Sequence, residues 1–72
     1  MKQEIVKVLI QDAQAKAALA IANVNILLNN PTGVADHPDV MKTIQGQLDE
    51  ISKQQGRLSI LGNVFLEKKT DE

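Results

Sequence analysis

His37 is the only histidine of the chain, and it stands between Asp36 and Pro38 with Asp39 close behind. An imidazole beside carboxylates is a possible acid–base pair, and two chains could share a metal through it. The spacing speaks more strongly for a helix start. With Asp36 as N-cap, Pro38 falls in the first turn, where its missing N–H costs little. Asp39 then lies where a carboxylate favours the positive helix terminus. Ala35 and Val40 occupy the flanking staple positions, and a cap at His37 with Pro38 at N1 is equally sound. There is no cysteine. No serine or further histidine completes a catalytic triad or a metal set. Phosphate loops, paired-carboxylate sites and nucleophile elbows are also missing from the sequence. The chain therefore reads as non-enzymatic, with no catalytic, metal or cofactor-binding residue.

The other polar candidates are structural. Asp12 and Lys16 stand four apart, acid first, the favourable order on a helix. Buried, such a pair would fix register between subunits; partly solvated, it is worth a few tenths of a kcal/mol. The solvated reading is preferred. Gln55 is a polar position in an otherwise apolar series and would specify alignment, and Asn23 and Asn25 either do likewise or face water.

These residues need helices to carry them. Asn29-Asn30-Pro31-Thr32-Gly33 is the one strong break in the chain, because Pro31 disfavours helical geometry at Asn30 and Gly33 permits a tight turn. Before it, a helix is expected over about 2–29, rich in Ala, Leu, Gln and Ile and about 40 Å long. After a loop over about 30–36, a second is expected over about 37–68, with Gly46, Gly56 and Gly62 each costing roughly 1 kcal/mol relative to Ala. The last residues, Lys69 to Glu72, should fray. Two helices of similar length joined by a short loop make an all-α, single-domain antiparallel hairpin.

Apolar periodicity suggests that the hairpin is not the end of assembly. On helix 1, Val6, Ile10, Ala13, Ala17, Ala20, Val24 and Leu27 follow an unbroken heptad rhythm. A second series, Ile5, Val8, Asp12, Ala15, Leu19, Ala22 and Ile26, lies about 140° away and is apolar except at Asp12. Helix 2 offers one series: Met41, Ile44, Leu48, Ile51, Gln55, Leu58, Gly62 and Phe65. One stripe covers one seam and leaves the other in water. A homo-oligomer follows, with a dimeric four-helix bundle as its leading form. The small residues Ala13, Ala17 and Ala20 allow close helix approach, so that seam is assigned to a helix 1–helix 1 contact, with a place inside the hairpin as the competing assignment. Ile5, Val8, Ala15, Leu19 and Ile26 complete the candidate interface. Leu61, Val64, Phe65 and Leu66 form a candidate partner surface, Phe65 being the sole aromatic; the simpler role for Phe65 is to close the open end on Ile5, Val6 and Leu9.

The totals agree with association. At 72 residues, a lone fold buries only about 60% of its unfolded surface, and small domains compensate with disulfides, metals or partners. Charge is balanced, 8 Lys+Arg against 9 Asp+Glu. Nucleic acid is thus disfavoured as a partner, since its binders carry a basic face and stacking aromatics. A small dimeric nucleic-acid-binding regulator is the alternative function, with Lys42, Lys53 and Arg57 touching phosphate. No signal peptide is read at Met1-Lys2-Gln3-Glu4. The most apolar stretch, Ala17–Leu28, falls short of the roughly 20 residues a membrane span needs. No membrane association and a cytoplasmic location are expected.

The segment Asn30-Pro31-Thr32-Gly33-Val34-Ala35-Asp36-His37-Pro38-Asp39, between an Ala-rich helix and a Gln/Asp/Glu-containing one, resembles that of small uncharacterised helix–loop–helix proteins of tailed bacteriophages, marine ones included. The resemblance covers the loop and the general layout and transfers no catalytic or binding residue. It implies a short accessory protein acting in an infected bacterial cell.

Overall fold

The computed structural model describes residues 1–29 and 37–67. The first helix, α1, spans Lys2–Asn29 and the second, α2, spans His37–Ile60; a π-helical turn over Leu61–Phe65 continues α2. The described residues contain no strand. The Asp36 cap, the loop residues Asn30 to Ala35, the His37 side chain and the terminal residues Lys69 to Glu72 lie outside the described part.

The two helices pack antiparallel as one thin layer, 14 Å in its shortest dimension, about the diameter of a single helix. Each helix can therefore bury one stripe only. On α1 that stripe is the alanine-rich heptad series: Val6, Ala13, Ala17 and Ala20 are buried, and Ile10, Val24 and Leu27 are half-buried. The small residues line the middle of the contact inside the chain. Ala13, Ala17 and Ala20 are thus committed to α2 and are not free for the helix 1–helix 1 contact to which periodicity assigned them.

On α2 and the π turn the facing stripe is Val40 and Gln54, both buried, with Ile44, Gln47, Ile51, Leu58 and Leu61 half-buried. It shares Ile44, Ile51 and Leu58 with the series expected from hydrophobicity, but otherwise sits one residue earlier. Met41, Leu48 and Gln55 are exposed, whereas Val40 is buried and Gln54 is 1% exposed. The antiparallel register explains the shift. Asn23 Nδ2 donates to Gln47 Oε1 at 3.3 Å, and Gln3 reaches the backbone of residues 65–67. In that register Gln54 enters the stretch of α1 lined by Ala13 and Ala17, and Gln47 the stretch lined by Ala20 and Asn23. Long amides fill the space that alanines leave.

The end of α2 also differs from the helix expected to about residue 68. The last N–H of the π turn comes from Leu66, which donates to Leu61 O at 2.7 Å, and Leu66 itself is extended (φ −74°, ψ 125°). Gln3 makes this ending possible. Its Nε2 donates to Phe65 O at 3.2 Å, and its Oε1 accepts from Glu67 N–H at 2.8 Å. One side-chain amide thus satisfies two backbone groups released where the helix stops.

A Cβ added at Gly56 meets nothing within 4 Å, so the glycine serves no close approach there. Gly56→Ala is expected to stabilise the fold by about 0.5–1 kcal/mol, read as a rise of several degrees in the melting temperature followed by circular dichroism.

Candidate functional site

The site is a surface, and α1 supplies most of it. Opposite its buried stripe, α1 presents the second heptad series to solvent: Ile5, Val8, Leu19 and Ile26 are 52%, 61%, 65% and 64% exposed, and Asp12, Ala15 and Ala22 beside them are exposed too. The reason is geometric. Residues about 140° from the α2-facing stripe cannot be reached by a single neighbour. The corresponding outer side of α2 is polar, with Lys42, Gln45, Asp49, Ser52, Lys53 and Gly56 all exposed. Met41 and Leu48 on α2 and Ile21 and Leu28 on the other flank of α1 are exposed as well, but the outer side of α1 carries the longest apolar series.

The outer face of α1 runs into an apolar depression at the open end of the hairpin. Met1, Lys2, Ile5, Val6, Leu9, Leu61 and Phe65 line an open groove of about 610 Å³. A second groove of about 290 Å³, between Leu9, Asp12, Arg57, Ile60 and Leu61, adjoins it. A third hollow, of about 330 Å³, lies between Met1, Glu4, Ile5, Val8 and Leu9. Ile5 and Leu9 are common to the first and third, so groove and outer face are one continuous surface. Phe65 lies at the open end with Ile5, Val6 and Leu9, yet remains 49% exposed. Leu61 and Leu66 are half-buried and Val64 is exposed.

Polar groups frame this surface without forming a reactive centre. Gln54 Nε2 donates to Glu50 Oε2 at 2.6 Å, and its Oε1 accepts from Arg57 Nη1 at 3.5 Å. That satisfies a buried amide that would otherwise cost free energy. Lys53 Nζ pairs with Glu50 Oε1 at 3.2 Å. The Gln54 hydrogen bond, first, and that of Lys53, second, hold the Glu50 carboxyl below its ordinary value; partial desolvation opposes them. Periodicity had singled out Gln55, which is exposed. Apolar periodicity does not point to Gln54 or Gln47, because neither is apolar. The signal available was the run of alanines across from them, which requires long side chains on the facing helix. Asn23 joins the network through Gln47, whereas Asn25 is exposed. Asp12 and Lys16 pair at 3.1 Å with both side chains 50% exposed, a solvated pair of small energetic weight.

Among the described residues no group of three or more His, Cys, Asp or Glu side chains is arranged to hold a metal ion, and no helix is long and apolar enough to cross a membrane. Comparison with protein-family models, with curated proteins and with solved structures finds no match.

Two measurements probe this geometry. Gln54→Leu removes the main partner of the Glu50 carboxylate, so the Glu50 pKa, followed by carboxyl NMR titration, is expected to move up. Because the folded value lies below the ordinary one, the stabilisation is complete above the ordinary range and is lost as pH falls through the folded value; the variant should lose that part of the acid dependence. Phe65→Ala is expected to destabilise by roughly 1–2 kcal/mol, below the ~3–5 kcal/mol of a fully buried phenylalanine, measured by urea denaturation.

Proposed function

We propose that this chain is a non-enzymatic, self-associating helical hairpin with a structural or protein-interaction role, its active form a dimer of four helices in which the outer face of α1 is buried against a second copy. The observation that carries this reading is the line of four large aliphatic side chains, Ile5, Val8, Leu19 and Ile26, each more than half exposed on one side of α1. Exposed apolar residues scattered singly are ordinary, but several aligned on one helix face, interrupted by a charge only at Asp12, mark an interaction surface.

The magnitudes favour association. Full burial of such a residue is worth about 1.5–3 kcal/mol, and a little over half of that is still to be gained at each position. The four residues thus offer about 3–6 kcal/mol per chain and twice that per pair. Association costs an estimated 4–15 kcal/mol. The terms are of the same order, so the dimer should assemble and dissociate over an accessible concentration range. Removing Ala13, Ala17 and Ala20 from the intermolecular face does not weaken this reading, since the large side chains supply most of the area. The resemblance of the connecting segment to phage-encoded helix–loop–helix proteins adds a setting: an accessory protein in the cytoplasm of an infected bacterial cell, acting by assembly with itself or on a larger protein.

Sedimentation equilibrium of the purified chain is expected to show a concentration-dependent dimer. Leu19→Lys, at a position that makes no use of the hairpin seam, should raise the dissociation constant at least tenfold while the helical circular dichroism signal at high concentration is kept. A chain that stays a stable, fully folded monomer at millimolar concentration overturns the proposal.

A further inference from the structure

Resting on the self-association reading, we infer that the second copy docks antiparallel, α1 against α1 about a two-fold axis near Ala15, so that Ile26 of each chain seats in the hollow beside Ile5, Val8 and Leu9 of the other. Three observations set the orientation. The first is charge. Asp12 is the only acidic or basic residue of the outer series, and it is exposed and salt-bridged to Lys16. A parallel two-fold pair would place Asp12 level with its own copy in the middle of the contact, and like charges brought together there repel. An antiparallel pair displaces the two carboxylates by more than a helical turn. It also keeps both Lys16 ammonium groups on the same edge, between them.

The second observation is the distribution of charge along α1. Lys2, Glu4, Lys7, Asp12 and Lys16 all lie in its first sixteen residues, and Ala17 to Asn29 carries none. Antiparallel docking sets Lys2, Glu4, Lys7 and Asp12 against the neutral half of the partner helix; Lys16 alone lies beside its own copy, between the two Asp12 carboxylates. The opposed helix dipoles favour the same arrangement.

Shape is the third. The hollow lined by Met1, Glu4, Ile5, Val8 and Leu9 lies on the outer face near the start of α1, while Ile26, 64% exposed, projects from the same face near its end. About an axis near Ala15, the partner's Ile26 comes level with Ile5. Ala15, small and exposed, permits the closest approach at the centre. The occupant of the open-end surface is therefore the neutral end of a second α1.

Single cysteines separate the cases, because the chain has none of its own and a disulfide requires Cα atoms within about 7 Å. Full-length Ile5→Cys, Ile26→Cys and Ala15→Cys variants are oxidised alone and as an equimolar Ile5→Cys/Ile26→Cys mixture, covalent dimers being read on non-reducing denaturing gels and the linked positions by mass spectrometry of proteolytic peptides. Ala15→Cys should cross-link to itself. The mixture should give predominantly the mixed disulfide, and the two terminal variants alone should give at least tenfold less. Ready cross-linking of Ile5→Cys with itself and of Ile26→Cys with itself would overturn the antiparallel orientation and leave the self-association reading intact. No cross-link at any of the three positions in a chain that still sediments as a dimer would overturn the α1–α1 contact and leave self-association standing, whereas no cross-link in a chain that sediments as a monomer would overturn both.

Discussion

The structure depends on the contact between α1 and α2 across Ala13, Ala17 and Ala20, all three buried. Three small side chains in the middle of a heptad seam remove the volume that leucines would fill, and the facing helix must supply it. α2 does so with Gln54 and Gln47, whose long aliphatic stems reach across and whose amides find hydrogen bonds at the edges. Gln54 is the largest fully buried side chain described. A core built on alanine and glutamine is thin, and its hydrophobic contribution is correspondingly modest.

That thinness passes stress to the rest of the molecule. Two helices in a single layer leave every remaining apolar group with one side open. Polar devices hold the ends instead: Gln3 pins the π turn after α2, and Asn23 ties α1 to Gln47. Neither adds much apolar burial. The large aliphatic residues that would make a thicker core, Leu19 and Ile26 among them, stand on the opposite side of α1. The stabilisation the hairpin lacks and the surface it exposes are complementary, which is the physical content of the self-association proposal.

The polar cluster on α2 gives the seam its register. Burying Gln54 is tolerable only with both ends of its amide engaged, and Glu50 and Arg57 do this from the same helix, one turn on either side. A slip of the two helices by one residue would bring Gln55 or Lys53 to the alanines, where neither the length nor the hydrogen-bond partners match. Specific alignment is thus enforced by a polar group in the seam, as in other paired helices, and the lowered Glu50 pKa is its electrostatic trace.

Much of this was legible in the residues themselves. The end of α1 at Asn29, the length of α1, the start of α2 near residue 37 and both stripes of α1 follow from proline and glycine punctuation and from a 3.5-residue rhythm, which act locally. Which α1 stripe faces α2 did not follow, because alanine is compatible with a close contact inside one chain or between two. The true stripe of α2 was likewise hidden: Ile44, Ile51 and Leu58 belong to two overlapping series, and hydrophobicity preferred Met41 and Leu48 to Gln47 and Gln54. Only the tertiary pairing weighs the volume opposite each position, and it chose length over apolarity. The widening of the last turn was decided in the same way, by Gln3 from the far end of the chain. Sequence by itself determined the two helices and their surplus of apolar surface; the packing decided which half of that surplus is spent at home.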